Sequence, residues 1–259
     1  MTTPRRKTVL ITGASEGGIG NALALAFHHH GLHVFATARS VSKMSNLSPL
    51  PNMTLLPLDV TSSSSIAALV AAIQSHPATT NGTTNTLDIL VNNSGLSYVG
   101  PALDTPLSTV RNLFDVNYFG LIEVTQAFSK LLVASARTGG GSPVIVNIGS
   151  VAAHFTGLYL STYAASKAAV EMFSEALRLE MAPLGVKVLT MTTALVKSKM
   201  SGGSNLPPTV LSEDSFWALP AGARTMTNVA DRGMDADRFA EQVVGDVLSG
   251  RTGRVWRGP

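Results

Sequence analysis

The 259-residue chain contains no cysteine. Disulfides, thiol nucleophiles and zinc-thiolate centres are excluded, and whole reaction classes go with them. Charge is sparse as well: 14% of the residues are charged, and they leave a formal net charge of +3. The basic residues are scattered except for Arg5-Arg6-Lys7. A solvated terminus explains that cluster better than a nucleic-acid footprint, so no nucleic-acid partner is expected. No uninterrupted apolar run reaches the roughly eighteen residues of a membrane span. The stretch MTTPRRKTVLITG lacks the apolar region and cleavage site of a secretory signal. A cytoplasmic protein with no transmembrane segment is the expectation. Peripheral contact with the endoplasmic reticulum or lipid droplets is left open.

What is present is an alternation of short apolar runs and helical patterns. The strand candidates are 8–12, 33–38, 54–59, 88–93, 144–149, 187–192 and 254–257. Helical periodicity falls at 19–30, 62–75, 106–135, 161–182 and 235–249. Near-continuous apolar strands separated by helices predict an α/β domain whose parallel sheet is covered on both faces. The polar stretches 78–86 and 136–142 read as surface loops. From 201 to 232 the pattern dissolves into Gly, Pro, Ser and isolated aromatics, which makes this the candidate substrate loop. One domain is expected over 1–259.

Between the first strand and first helix lies ITGASEGGIG. A glycine-rich turn there suits a phosphate, because free amides at the helix N-terminus face an anion and small residues permit close approach. A merely tight strand-to-helix connection is the alternative for this turn taken alone. Downstream, Tyr163 and Lys167 stand four residues apart in STYAASKAAVEMF and would share a helix face. Ser150 ends a predicted strand.

Taken together, TGASEGGIG, Asp59, NNSG (92–95), Asn117, Ser150 and YAASK (163–167) make the chain resemble the short-chain dehydrogenase/reductase family over essentially its whole length. The resemblance implies a single-domain Rossmann-type, doubly wound parallel sheet of about seven strands with helices on both faces. It gives Asn117, Ser150, Tyr163 and Lys167 the roles of the family's catalytic tetrad. A free phenol titrates near pH ~10, so proton exchange near neutrality calls for a cation beside it. Lys167 and an oxidised nicotinamide ring would supply that charge, Ser150 would hold the substrate oxygen, and Asn117 would hold a water linking the lysine to solvent. No metal is required.

Four residues, Ala14 to Gly17, separate the first glycine from Gly-Ile-Gly, where most members have three. This longer form resembles the fungal and yeast reductases of 1-acyl-dihydroxyacetone phosphate. It assigns Gly13, Gly18 and Gly20 to the motif, with Ser15, Glu16 and Ile19 lining the turn and Gly17 as the insertion. After the second strand, Arg39 stands where an NAD enzyme would carry an acid. An arginine attracts a 2′-phosphate that a carboxylate would repel, so NADP(H) is the expected cofactor. An exposed strand-end cation is the alternative reading of Arg39. Asp59 and Val60 should flank the adenine. Asn92, Ser94 and Gly95 should line the next strand end, and Val196 and Ser198 the nicotinamide side. Tyr163 and Lys167 should also touch the cofactor.

Two departures from the family pattern stand out. Ser94 replaces the usual alanine of Asn-Asn-Ala-Gly, and Thr193-Ala194 replaces the Pro-Gly after the sixth strand. His28-His29-His30 resembles a metal tract, but consecutive helical side chains point about 100° apart and cannot share an ion. His154 is either a pocket donor or an ordinary loop histidine. Phe155, Tyr159, Phe216 and Trp217 line either an apolar substrate cavity or the core. The resulting expectation is reduction of an apolar or lipid-like ketone, or oxidation of the corresponding alcohol, by a homodimer or homotetramer. Alternatives are a strict 1-acyldihydroxyacetone phosphate reductase using Lys197, Lys199 and Arg224, a natural-product enzyme performing ketoreduction, oxidation, isomerisation or cyclisation, and a non-enzymatic NADP-binding module.

Overall fold

The computed structural model of the chain describes residues 5–81, 84–138, 141–199, 215–217 and 232–259. Seven strands form its centre: β1 Thr8–Ile11, β2 His33–Ala38, β3 Met53–Pro57, β4 Ile89–Asn92, β5 Val144–Ile148, β6 Lys187–Thr193 and β7 Gly253–Arg257. They lie in the order β3-β2-β1-β4-β5-β6-β7, with every neighbouring pair parallel. Residues of β1, β2, β4 and β5 are buried along their full length, as coverage on both faces requires. The edge strands β3 and β7 are partly exposed.

The period of two along a strand divides the core. Val9, Ile11, Val34, Ala36 and Val146 face α1 (Ile19–His29) and α6 (Ala236–Leu248), where Leu23, Phe27, Phe239 and Val243 meet them. Leu10, Phe35, Leu90 and Ile145 face the opposite layer. That layer draws Ile66 and Leu69 from α2 (Ser63–Gln74), Phe128 and Leu132 from a helix over Gly120–Arg137, and Leu177 from one over Ser161–Met181.

The predicted helix 106–135 consists of α3 (Leu107–Phe114), a π-helical turn (Asp115–Phe119) and α4 (Gly120–Arg137). The catalytic-region helix Ser161–Met181 is α5. Among the described residues, Leu107–Arg137 is long and apolar enough to cross a membrane, by length and composition. The expectation of no span rested on uninterrupted apolar runs and overlooked this helix. Core packing accounts for its apolar content, because Val124, Phe128 and Leu132 are fully buried beneath the sheet.

Two further expectations need correction, and one unassigned segment is structured. Residues 78–86 are more than a surface loop: Thr80–Asn81 and Thr84–Asn85 pair antiparallel. Buried Thr79 anchors the stretch through Oγ1 donation to the Ile73 carbonyl at 2.7 Å. Val41–Leu47, unassigned in the sequence, forms short 3-10 turns that bury Met44 and Leu47. Arg5 does not belong to a merely solvated terminus, since its Nη2 donates to the buried Asp88 carboxylate at 2.7 Å. Burial would raise the Asp88 pKa, but hydrogen bonds from Arg5, Ser135 and Thr8 win and hold it low.

His33 lies at the β2–β3 side of the sheet, its ring centroid 4.8 Å from those of Phe35 and His76. Burial, with the neighbouring His76 and Arg6, pushes its pKa down to about 4. The unfolded chain takes up this proton near pH 6.5, before the folded chain does. Stability is therefore intact above pH ~6.5 and declines as pH falls toward about 4. Thermal unfolding between those limits should show a steeper acid loss in the parent than in His33→Gln, by roughly 2 kcal/mol. Parallel profiles would mean that His33 protonates in the fold without penalty.

Candidate active site

The chain runs from β1 outward to β3 and then returns to place β4 on the other side of β1. At that reversal the loops after β1 and β4 diverge, opening a crevice at the carboxyl ends of the strands. The glycine turn forms one lip. Gly13 adopts φ +75°, and a β-carbon on Gly20 would overlap the Gly13 carbonyl oxygen. Gly18 caps α1 without a side-chain hydrogen bond. First-turn amides of such a helix lack intrahelical acceptors and suit an anion. Ser15 and Ile19 are half-buried and Glu16 is exposed along the same turn.

Gly17 sits outside this packed core of the turn. Its φ is +76°, and a β-carbon there would meet the end of the Lys199 side chain at 2.6 Å. The Lys199 amide donates to the Gly17 carbonyl at 2.9 Å. The insertion thus reaches the segment that follows β6, where Val196 is buried and Ser198 half-buried.

The opposite lip is fixed by Thr12 and Asn93, which lie inside the TGASEGGIG and NNSG motifs but were given no role of their own. Thr12 Oγ1 accepts the amides of Asn93 and Ser94, each at 3.0 Å. Asn93 Nδ2 donates to the Thr12 and Gly13 carbonyls at 2.9 and 3.0 Å. Asn92 is turned the other way: its Nδ2 donates to Thr125 Oγ1 and Asn147 Oδ1, both at 2.9 Å, under the sheet. Its side chain is therefore structural and does not line the crevice as expected. Strand alternation explains the exchange, since adjacent residues point to opposite faces. Ser94 and Gly95 remain at the crevice, half-buried.

Arg39 is exposed at the end of β2. Asp59 lies within its electrostatic reach, and its pKa is lowered chiefly by hydrogen bonds from Thr61, with Arg39 contributing less. Asp59 Oδ1 accepts from the Thr61 amide at 3.0 Å and hydroxyl at 2.7 Å. Val60 does not present its side chain to the crevice, because it is buried against Gly120 at the start of α4.

The four predicted catalytic residues converge. Ser150 ends the segment after β5; its Oγ accepts the Ala152 amide at 3.1 Å, and its hydroxyl is near enough to Tyr163 to influence the phenol's titration. Lys167, one turn along α5, donates from Nζ to the Ile148 carbonyl at 2.9 Å. A β-carbon on Gly95 would lie 3.3 Å from Asn117 Oδ1 and 3.7 Å from Lys167 Nζ, which places all three together. Asn117 occupies the π turn and spends its amide on protein groups. Its Oδ1 accepts the Leu96 amide at 2.7 Å, and its Nδ2 donates to the Leu96 carbonyl and Ser166 Oγ, both at 3.0 Å. Its observed work is to hold the loop after β4 against α5.

Burial raises the Tyr163 pKa, opposed by the Ser150 hydrogen bond. Burial also lowers Lys167 to about 8, while Glu171 pulls it upward.

His154 lies with the β7 edge rather than beside the Ser150 and Tyr163 hydroxyls. Its ring is 4.8 Å from that of Trp256, and its Nε2 is 3.8 Å from Glu171 Oε2. Phe155 is exposed near Trp256, so it belongs neither to a cavity nor to the core. Tyr159 takes φ +65°, and its carbonyl accepts the Gly100 amide at 2.8 Å. Its ring meets Trp217 edge-on at 6.3 Å, and Phe216 packs on the same indole at 6.1 Å. Ser215 hydrogen-bonds Asp104. Apart from residues 215–217 and 232, the predicted loop 201–232, with Arg224, lies outside the described residues. The usual Pro-Gly position is also legible. Thr193 continues β6 opposite Arg257, and the Ala194 amide donates to the Arg257 carbonyl at 2.8 Å.

A family profile described as short chain dehydrogenase matches residues 7–207. The chain is 46% identical over 254 residues to the short-chain dehydrogenase ptmH of Penicillium ochrochloron, covering 98% of this chain and 89% of that protein. It is 41% identical over 194 residues to the NADPH-dependent 1-acyldihydroxyacetone phosphate reductase of Schizosaccharomyces pombe, covering 75% of this chain and 61% of that protein. Among solved structures, a short-chain dehydrogenase from Streptomyces avermitilis superposes with a TM-score of 0.79 at 28% identity, covering 97% of this chain and 89% of that one.

Substitution separates the glycines. Gly20→Ala should unfold the turn, because rigid backbone blocks the new carbon. Gly17→Ala should cost only about 1–2 kcal/mol for its left-handed backbone, since the Lys199 side chain can move aside. Equal losses in denaturant titrations would place Gly17 in the packed turn after all.

Proposed function

The chain belongs to the short-chain dehydrogenase family, and from its site we propose that it is an NADP(H)-dependent oxidoreductase that reduces the ketone of an apolar, lipid-like substrate. The observation that carries this reading is the convergence of the Ser150 and Tyr163 hydroxyls with Lys167, one helical turn along α5. When bound, the reduced nicotinamide would supply the hydride. Ser150 then holds the substrate oxygen, and Tyr163 gives its hydroxyl proton to that oxygen as negative charge develops. A raised Tyr163 pKa keeps the phenol protonated at neutral pH, as a general acid in the reductive direction requires. Buried Lys167 adds positive charge where polar groups have been withdrawn from water.

The residues present suit the cofactor. Gly13, Gly18 and Gly20 leave room beside the uncapped helix end for a pyrophosphate. Arg39 offers a 2′-phosphate a charged fork, and the relative from S. pombe is itself described as NADPH-dependent. Exposed Leu103, Leu158 and Phe216, with Tyr159 and Trp217, support an apolar substrate. A phosphorylated substrate is less well served. Lys197 pairs with Asp235 at 3.0 Å, and Lys199 lies over Gly17.

The same reading includes self-association. Phe119, Met172 and Leu179 are exposed along the π turn and α5, an apolar face that a second copy would cover. Light scattering at micromolar concentration should therefore report at least a dimer, and Met172→Glu should shift it toward monomer. A monomeric parent would remove this part of the proposal.

NADPH consumption against a panel of large and small ketones tests the main reading. Tyr163→Phe should retain NADPH binding and lose turnover by a factor of about 10² or more. Arg39→Asp should weaken NADPH binding far more than NADH binding. Undiminished turnover in a folded phenylalanine variant would remove the assigned acid, and unchanged NADPH affinity would leave Arg39 a surface cation.

A further inference from the structure

Glu171 lies one turn beyond Lys167 on α5, and only 3% of its surface is exposed. Its Oε1 accepts from Thr192 Oγ1 of β6 at 2.8 Å. Its Oε2 accepts from Arg254 Nε of β7 at 2.9 Å and is 3.8 Å from His154 Nε2. The carboxylate also lies directly on Gly149, where a β-carbon would overlap Oε1. Gly149 joins Ile148, whose carbonyl receives Lys167 Nζ, to Ser150, whose hydroxyl meets Tyr163. One buried carboxylate thus touches the backbone between two parts of the catalytic machinery and ties it to two neighbouring strands.

We propose that Glu171 is a positioning residue for the reductase reaction: its carboxylate braces the Ile148–Ser150 link and provides the negative charge that the buried ammonium of Lys167 faces on its own helix. The inference rests on the function proposed above. Burying a charge is costly unless it is paired and hydrogen-bonded, and Lys167 has a carbonyl as its direct acceptor. Around the pair stand Tyr163 on α5, His154 after β5 and Arg254 on β7, with Glu175 and its partner Arg178 one turn further along α5. The π turn contributes uncharged Asn117, and β6 contributes uncharged Thr192. Arg254 hydrogen-bonds this carboxylate, and Lys167 stands within its electrostatic reach one turn earlier on α5. That explains why a solvent-edge strand carries an arginine aimed inward. Gly149 follows from the same geometry, because any side chain there would expel the carboxylate.

The test reads the lysine directly. In the full chain with ¹³C-labelled lysine side chains, the Lys167 resonance, assigned by its loss in Lys167→Met, is titrated without cofactor. Glu171→Gln keeps the shape and removes the charge, and it should lower the Lys167 midpoint by about one pH unit. The alkaline limb of kcat/KM for NADPH-dependent reduction should move the same way. Glu171→Asp retains the charge on a shorter arm, so its midpoint should stay near the parent's while kcat falls as the brace loosens. Arg254→Gln removes the competing cation from the partly exposed edge and should raise the midpoint by about half a unit. This third variant decides the matter if the glutamine variant does not fold. A Lys167 midpoint unmoved in Glu171→Gln, or unmoved in Arg254→Gln, overturns the inference. If no ketone is reduced by the parent, the proposed function fails, while the lysine titration still decides what Glu171 does.

Discussion

The close approach of two strand ends governs this site. Between β1 and β4 the chain reverses its direction of travel across the sheet, and the two exit loops must part without losing their backbone hydrogen bonds. Thr12 and Asn93 solve that problem reciprocally, one accepting amides from the far loop and the other donating to carbonyls of the near one. Gly20 then allows α1 to press on Gly13. With the lips fixed, the helix amides point into the crevice at no further conformational cost, and Arg39 and Asp59 follow at the next strand ends. A buried backbone group left unpaired would cost about 1–3 kcal/mol, so the hydrogen-bonded clamp is a condition for opening the crevice at all.

Much of this architecture was legible beforehand. Seven apolar runs became seven strands with boundaries shifted by only a residue or two, because strands buried on both faces must be apolar throughout. The glycines and the Tyr163–Lys167 spacing were legible for a similar reason: each encodes a steric or angular requirement that few other residues satisfy. Orientation was harder. Asn92 and Asn93 are chemically identical, and only the parity of β4 against its neighbours decides which reaches the crevice. The Val60 side chain was misread on the same account, since nothing local says that Gly120 will arrive to cover it, and nothing local chose between the two readings of His154. The π turn at Asp115–Phe119 also left no periodic signal, as one inserted residue does not disturb an apolar pattern spread over thirty.

Buried charged groups also follow a rule that composition hides. Few charged residues are available, yet Asp88, Lys167, Glu171 and Asp246 are all buried. Each is held by hydrogen-bonding or charged partners from neighbouring elements. Asp88 collects Arg5, Thr8 and Ser135 at the amino ends of the strands. Asp246 takes Arg257 at 2.6 Å from the last strand. The Asp88 and Glu171 pairs join segments remote in sequence, so they favour one register over its alternatives even where their net contribution to stability is small.

Helix α5 carries three obligations on three faces, and this limits what its sequence can vary. Leu177 and Met181 anchor it beneath the sheet. Tyr163, Lys167 and Glu171 recur at intervals of four and form one polar line along the strand ends. Met172 and Leu179 leave an apolar stripe exposed. A helix of ordinary length can meet all three demands only if the polar line is buried and compensated. Otherwise its desolvation would oppose the packing that positions it. Arg254 and Thr192 supply that compensation from β7 and β6, strands formed late in the chain. The last strand therefore closes the sheet edge and also completes the electrostatic environment of a lysine nearly ninety residues earlier.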